Sequence, residues 1–179
     1  MLDKNFVSVL INEALSQGGD FAEVFMDDAY SSTFVIGEKH IKEASSSIDK
    51  GVGIRVCKGG EIQSYAYTNK LDKESLLQTA KYAAKGIAQK KEVYCCGFID
   101  KGIENISKIQ KTQKNVLASE KTNLLREVSD LVLNANPNVV RADGRYLEVI
   151  QNVTIANSNG LWVSDNRERT RFLMSAQVQ

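Results

Sequence analysis

The chain has 179 residues, 42% hydrophobic and 25% charged, with 23 Lys and Arg against 22 Asp and Glu for a formal net charge of +1. That is chain for one domain, or one and a half at about 100–200 residues each, and enough to bury a core without covalent staples. Near-neutrality lacks the positive surplus that phosphate binding needs, so direct nucleic-acid binding is not expected.

The missing residue types narrow the chemistry. Three cysteines, two of them the adjacent pair Cys95-Cys96, spell neither a disulfide framework nor a zinc knuckle, and reduced thiols are expected. His40 is the one histidine, which excludes a multi-histidine metal site within this polypeptide. His40 itself reads as a surface strand residue rather than a ligand. Gly51-Val52-Gly53 and Gly59-Gly60 fit neither dinucleotide-binding nor P-loop spacing. No signal-peptide core or apolar run of about 18 residues is found, so the expected location is the cytoplasm, with no membrane span.

The first helix is predicted from Asp3 as N-cap to Gly18-Gly19 as terminator, with Leu2 and Val7 at staple positions. Phe6, Val7, Leu10, Ile11 and Ala14 form its buried stripe. The period then changes to two, and residues 21–28, 32–36 and 39–46 read as three short strands with a turn at Gly37-Glu38. Residues 51–57 alternate, with Val52, Ile54 and Val56 on one face and Arg55 on the other. Lys58-Gly59-Gly60 is a hairpin turn, and residues 62–68 return with Tyr65 and Tyr67 on one face.

Asp72 caps a second helix, with Glu74 in its first turn, Leu71 and Leu76 as a staple, and Leu76, Ala80, Ala83 and Ile87 buried. Residues 89–118 lose periodicity in a Lys- and Gln-rich connector, long enough to suggest a functional or wrapping segment. Its lysines read as a solvated face. Ser119 is the predicted cap of a third helix with Leu124, Leu125, Val128, Leu131 and Val132 inward, ended at residues 134–137. Strands are predicted at 139–141, 146–156, 161–164 and from 170 onward, with Ser158-Asn159-Gly160 as a turn and Trp162 as a packing anchor. Strands joined by tight turns argue an α+β fold, a largely antiparallel curved sheet packed by about three helices. The last residues read as a strand without a cap or turn behind it, so the chain is expected to be the front of something longer.

Several segments carry a family resemblance. They are Gly19-Asp20-Phe21-Ala22-Glu23-Val24-Phe25 followed by Ser31-Ser32, then Gly51-Val52-Gly53-Ile54-Arg55-Val56, Tyr65-Ala66-Tyr67-Thr68-Asn69 and Leu71-Asp72. The most specific is Ile155-Ala156-Asn157-Ser158-Asn159-Gly160-Leu161-Trp162-Val163-Ser164-Asp165. In this order they resemble the TldD/PmbA family, also called modulator of DNA gyrase, across the whole chain except the connector.

The resemblance implies that residues 1–179 are the N-terminal domain of an intracellular zinc metallopeptidase whose catalytic domain follows. It also implies a homodimer or a TldD/PmbA heterodimer acting on unfolded peptide. The family's zinc ligands lie on an H-E-x-x-x-H helix plus a later cysteine, and this chain has no His-Glu pair. No catalytic residue, cofactor site or metal ligand is therefore carried over, and the chain alone is expected to be inactive. Its role is read as dimerisation and enclosure of substrate. Arg55, Tyr65 and Tyr67 are the candidate substrate or interdomain contacts, set against their ordinary roles as a solvated arginine and half-buried sheet tyrosines. Two rival readings remain open: a non-enzymatic scaffold or PmbA-like partner, and a self-standing binding protein.

Overall fold

A computed structural model describes residues 2–87, 95, 97–104 and 109–179. In chain order the elements are α1 (Lys4–Leu15), β1 (Phe21–Gly37), β2 (His40–Lys58), β3 (Ile62–Thr68), α2 (Lys73–Lys85), β4 (Ile99–Asp100), α3 (Ala118–Asn134), β5 (Val139–Asn157) and β6 (Leu161–Val178), with a 3-10 turn at Gln113–Asn115. The strands lie in the order β3-β2-β1-β5-β6-β4 in one mixed, mostly antiparallel sheet. This is the expected α+β class. β4, inside the expected connector, pairs parallel with β6.

The short strands predicted at 21–28 and 32–36 are one strand, β1, and those at 39–46 and 51–57 are both parts of β2. Likewise 139–141 and 146–156 merge into β5, and the two final segments into β6. Apolar alternation appears only where one face is buried, whereas the ladder of backbone hydrogen bonds needs no such pattern. Residues 42–50 of β2 are exposed throughout, so they extend a strand without showing its period. The β1–β2 connection is a two-residue turn with Glu38 and Lys39 at φ 53 and 65. Both lie in the left-handed region that a primed hairpin turn demands.

The chain forms two compact units. The first comprises Met1–Asp28, Asp49–Glu104 and Asn152–Asn166; the second comprises Ala29–Ile48, Asn105–Gln151 and Arg167–Gln179.

In the first unit, α1 and α2 pack against each other and bury Val7, Leu10, Ile11, Leu76, Ala80 and Ala83 over Ala22, Val24, Met26, Val52, Ile54 and Val56. Trp162 belongs to this core, with the Phe98 ring 5.3 Å from its own. Cys95 and Phe98 pack against the same core, so part of the connector is ordered here. Cys96 lies outside the described residues. At α2 the Asp72 carboxylate accepts a 2.8 Å hydrogen bond from the Ser75 N–H, which holds its pKa below the ordinary 3.8. Asp3 occupies the N-cap of α1 without a side-chain cap bond. Leu71 is 44% exposed, whereas Leu76 is fully buried.

In the second unit, the apolar core is small: Phe34, Ile36, Leu125 and Tyr146. Helix α3 starts one residue before Ser119, with Leu117 at the N-cap, and Glu120 reaches back to accept from the Leu117 N–H at 3.2 Å. Its inward residues are Lys121, Leu125 and Ser129, while Leu124 and Leu131 are exposed. The helical period holds, with Leu125 buried and Val128 and Val132 half-buried as expected, but charged and hydroxyl side chains take two of the fully buried positions and displace Leu124 and Leu131.

Candidate functional site

The first unit carries the predicted site residues. β2 and β3 are antiparallel with Arg55 opposite Tyr65, Ile54 opposite Ala66 and Gly53 opposite Tyr67. Val52, Ile54 and Val56 point into the helix-covered core, so Gly51, Gly53 and Arg55 occupy the other face of β2. Tyr65 and Tyr67 lie on that same face, and the glycines explain why. A Cβ built on Gly53 would stand 2.3 Å from the Tyr65 hydroxyl, and one on Gly51 2.0 Å from that of Tyr67. Each ring lies diagonally across the glycine of the neighbouring strand, an aromatic cover that only a missing side chain permits. The rings stay accessible, Tyr65 at 62% and Tyr67 at 50% of full exposure.

Arg55 donates to Glu23 on β1 at 3.0 Å. Glu23 alternates with the core residues Ala22 and Val24, which places it on the same face as Arg55. Burial first, and then the carboxylates of Asp49 and Asp27, push the Tyr67 phenol above its ordinary pKa. Tyr67 therefore remains a hydrogen-bond donor at neutral pH. The structure thus brings Arg55, Tyr65 and Tyr67 together as a donor-bearing aromatic patch beside the edge strand β3. Sequence reasoning missed Glu23, Gly51 and Gly53. Their signal was present in the period-two positions of β1 and β2, but required the register to read.

A cavity of about 350 Å³ opens on the same unit, lined by Leu2, Met26, Val52, Leu71 and Thr154 among others. Asp28 and Lys50, paired at 2.9 Å, stand at it. Asp27 and Asn152 also line it, so apolar walls face a polar rim that carries one carboxylate more than it has cations.

Two tight connections hold this unit. Asp20 accepts from the Gly59 N–H at 2.7 Å and its own N–H donates to Cys57 O, so the Gly19-Asp20 segment clamps the β2–β3 hairpin. In the β5–β6 turn, Asn157 Oδ1 accepts from the N–H groups of Asn159 and Leu161, and Gly160 takes φ 82. Ser158 donates its N–H to Ala22 O and its hydroxyl accepts from Ala22 N–H, so the turn is pinned to β1. Two of the segments carrying the resemblance, those around Asp20 and Asn157-Ser158, thus contain connections where side chains hydrogen-bond backbone.

Among the described residues no cluster of three His, Cys, Asp or Glu could hold a metal, and His40 is exposed. No hydrolytic step is assigned to these residues. Among the described residues, no helix is long and apolar enough to cross a membrane.

Comparison with known proteins agrees with this architecture. Residues 22–87 match PmbA/TldA metallopeptidase domain 1, and residues 111–179 match the PmbA/TldA metallopeptidase central domain. The chain belongs to the PmbA/TldD family. It is 23% identical over 173 residues to a metalloprotease TldD homolog of Buchnera aphidicola, covering 97% of this chain and 36% of that protein. It is 27% identical over 164 residues to the Haemophilus influenzae homolog, covering 89% of this chain and 33% of that protein. The chain thus spans about a third of the length of the curated relatives it matches. Among solved structures, a candidate modulator of DNA gyrase from Bacteroides thetaiotaomicron superposes with a TM-score of 0.78 at 13% identity, over 98% of this chain and 41% of that one. TldE from Thermococcus kodakarensis superposes at 0.65 with 16% identity, over 97% of this chain and 43% of that one.

Proposed function

We propose that this chain is the non-catalytic front portion of a cytoplasmic TldD/PmbA-type metallopeptidase, where it serves dimerisation and encloses unfolded peptide substrate. The observation that carries the reading is the patch of Arg55, Tyr65 and Tyr67 beside the edge strand β3, within the region that matches the family's first domain. An edge strand accepts an extended peptide of any sequence through backbone pairing. Exposed tyrosines add apolar area with a donor tip, and Arg55 adds charge-assisted donors for carbonyl groups. Any zinc chemistry belongs to residues outside this chain.

The test uses the parent protein. Deleting residues 1–179 is expected to release cleavage of folded substrates that the intact enzyme excludes; a deletion that simply stops cleavage refutes enclosure. The triple variant Arg55→Ala, Tyr65→Ala, Tyr67→Ala separates the roles. A raised KM with an unchanged oligomer assigns the patch to substrate, and a change in oligomer mass by light scattering assigns it to the interface.

A further inference from the structure

The second unit carries a charged surface that the reading above does not use. In β6 arginines recur at period two, Arg167, Arg169 and Arg171, so they share one face of the sheet. Side-chain contacts register the neighbouring strand β5 against them. The Tyr146 and Phe172 rings lie 6.4 Å apart, a Cβ on Gly144 would stand 2.6 Å from Met174 Cε, and the Ser175 hydroxyl donates to the Asp143 carbonyl at 3.2 Å. These pairs run antiparallel and place Arg145 opposite Leu173, Leu147 opposite Arg171 and Val149 opposite Arg169. Tyr146 and Met174 turn toward the cluster that includes Leu125 of α3, so those six side chains lie on the sheet's other face.

The six form a checkerboard of three guanidinium groups and three aliphatic chains. Arg145, Arg169, Arg171 and Leu173 are exposed, and Leu147 and Val149 are half-buried. By strand geometry the three cations lie within about 15 Å of one another. Asp143, on the same face of β5, is taken by Arg141 at 2.7 Å. Arg145, Arg169 and Arg171 have no ion pair or hydrogen bond among the described residues. Like charges set side by side on a sheet repel, and a merely solvated surface intersperses the two signs. That all three are arginine and not lysine points the same way, since the guanidinium is weakly hydrated and pairs bidentately with carboxylates.

The complement must bring negative charge and apolar area together. A nucleic acid brings charge, but these six side chains include no aromatic ring on which a base could stack, and the net charge of +1 holds no general surplus for phosphates. A second copy docking through the same face would set arginine against arginine. A small anion would leave the aliphatic chains wet. A helix with Glu and Leu on one side meets both needs. Its carboxylates at i and i+4 stand about 6 Å apart, against about 7 Å between Arg169 and Arg171, and its leucines cover Leu147, Val149 and Leu173. Helices packed on both faces of a sheet are an ordinary layer arrangement.

We propose that this face of β5 and β6 docks an acidic amphipathic helix of a partner polypeptide, with its carboxylates on Arg145, Arg169 and Arg171. The experiment titrates the full chain into three fluorescein-labelled probes and follows their anisotropy. The probes are a Leu/Glu amphipathic helix of about five turns, the same peptide with every Glu replaced by Gln, and an oligothymidylate. Saturable binding is expected with the Glu peptide. The triple variant Arg145→Gln, Arg169→Gln, Arg171→Gln is expected to weaken it about tenfold or more, the loss of charged hydrogen bonds. Arg171→Gln alone is measured beside it, with a smaller loss expected in the same direction, as is Leu173→Asn, with a loss expected from the apolar side. These positions are exposed, so each variant is expected to keep the wild-type melt, and Arg126→Gln on the exposed side of α3 is expected to leave binding unchanged. No saturable binding of the Glu peptide, equal binding of the Gln peptide, affinity unchanged in the Arg variants or in Leu173→Asn, or an equal loss in Arg126→Gln overturns the assignment. Tighter binding of oligothymidylate than of the Glu peptide overturns it too, in favour of a nucleic acid.

Discussion

The unit built on α1 and α2 closes over a broad apolar core running from Val7 to Trp162, whereas the unit built on α3 combines a small apolar cluster around Phe34, Ile36, Leu125 and Tyr146 with a buried Lys121–Glu148 pair. The side chains of that pair are only 7% and 2% exposed, at 2.6 Å. The apolar core is tolerant, because burial free energy follows area and not direction. The polar one is conditional: every member must find its partner, and removing one leaves a charge where water cannot reach it. The first arrangement stabilises a scaffold, and the second specifies a geometry.

The largest expected effect breaks the polar side of this contrast. Lys121→Met leaves Glu148 buried and unpaired and is expected to cost about 3–5 kcal/mol in urea unfolding, whereas Lys121→Met with Glu148→Leu recovers most of the loss. A single variant that costs nothing would mean the pair is not buried as described. An intermediate effect probes the apolar side. A Cβ at Gly19 would meet Val56 Cγ1 at 2.4 Å inside the core, so Gly19→Ala is expected to cost about 1–3 kcal/mol by overpacking. A thermal melt unchanged from wild type would show that Val56 can move aside.

The smallest effect distinguishes the two helix starts of the first unit. Asp72→Ala is expected to lower the melting temperature at neutral pH, because it removes the Ser75 cap bond, while Asp3→Ala leaves it unchanged. The Asp72 carboxyl has a folded pKa below its unfolded value of 3.8. Its contribution is therefore complete above that value and is lost as pH falls through the lower folded one. Melts of Asp72→Ala and wild type are expected to converge in that acid range; a constant gap at all pH values assigns the loss to something other than the carboxylate.

The same contrast explains what was legible. α2 is readable in its cap and buried face, because Asp72, Glu74, Leu76, Ala80 and Ala83 each agree with a neighbour within one or two turns, although the helix ends at Lys85 and Ile87 is buried beyond it. In α3 the buried face includes Lys121 and Ser129, residues that a hydrophobic pattern assigns to solvent, so Leu124 and Leu131, inward by that pattern, are exposed. The site residues Arg55, Tyr65 and Tyr67 were legible as strand-face residues. Their companions Gly51 and Gly53 were not, since a glycine under a ring is visible only once β3 is registered against β2.

The sequence by itself determined the elements whose signals are local: α1 and α2, the turns at Gly59-Gly60 and Ser158-Asn159-Gly160, and the α+β class. Capping, positive φ and apolar period all act within a few residues, so they survive in one dimension. Tertiary structure alone decided that the strand fragments are long continuous strands, and that Glu23 meets Arg55. It also decided that Glu148 sits beside Lys121 and Ser32. Hydrogen bonds between strands and side chains paired across 27 or 116 positions leave no local trace, because their stabilisation depends on a partner that the chain delivers only on folding.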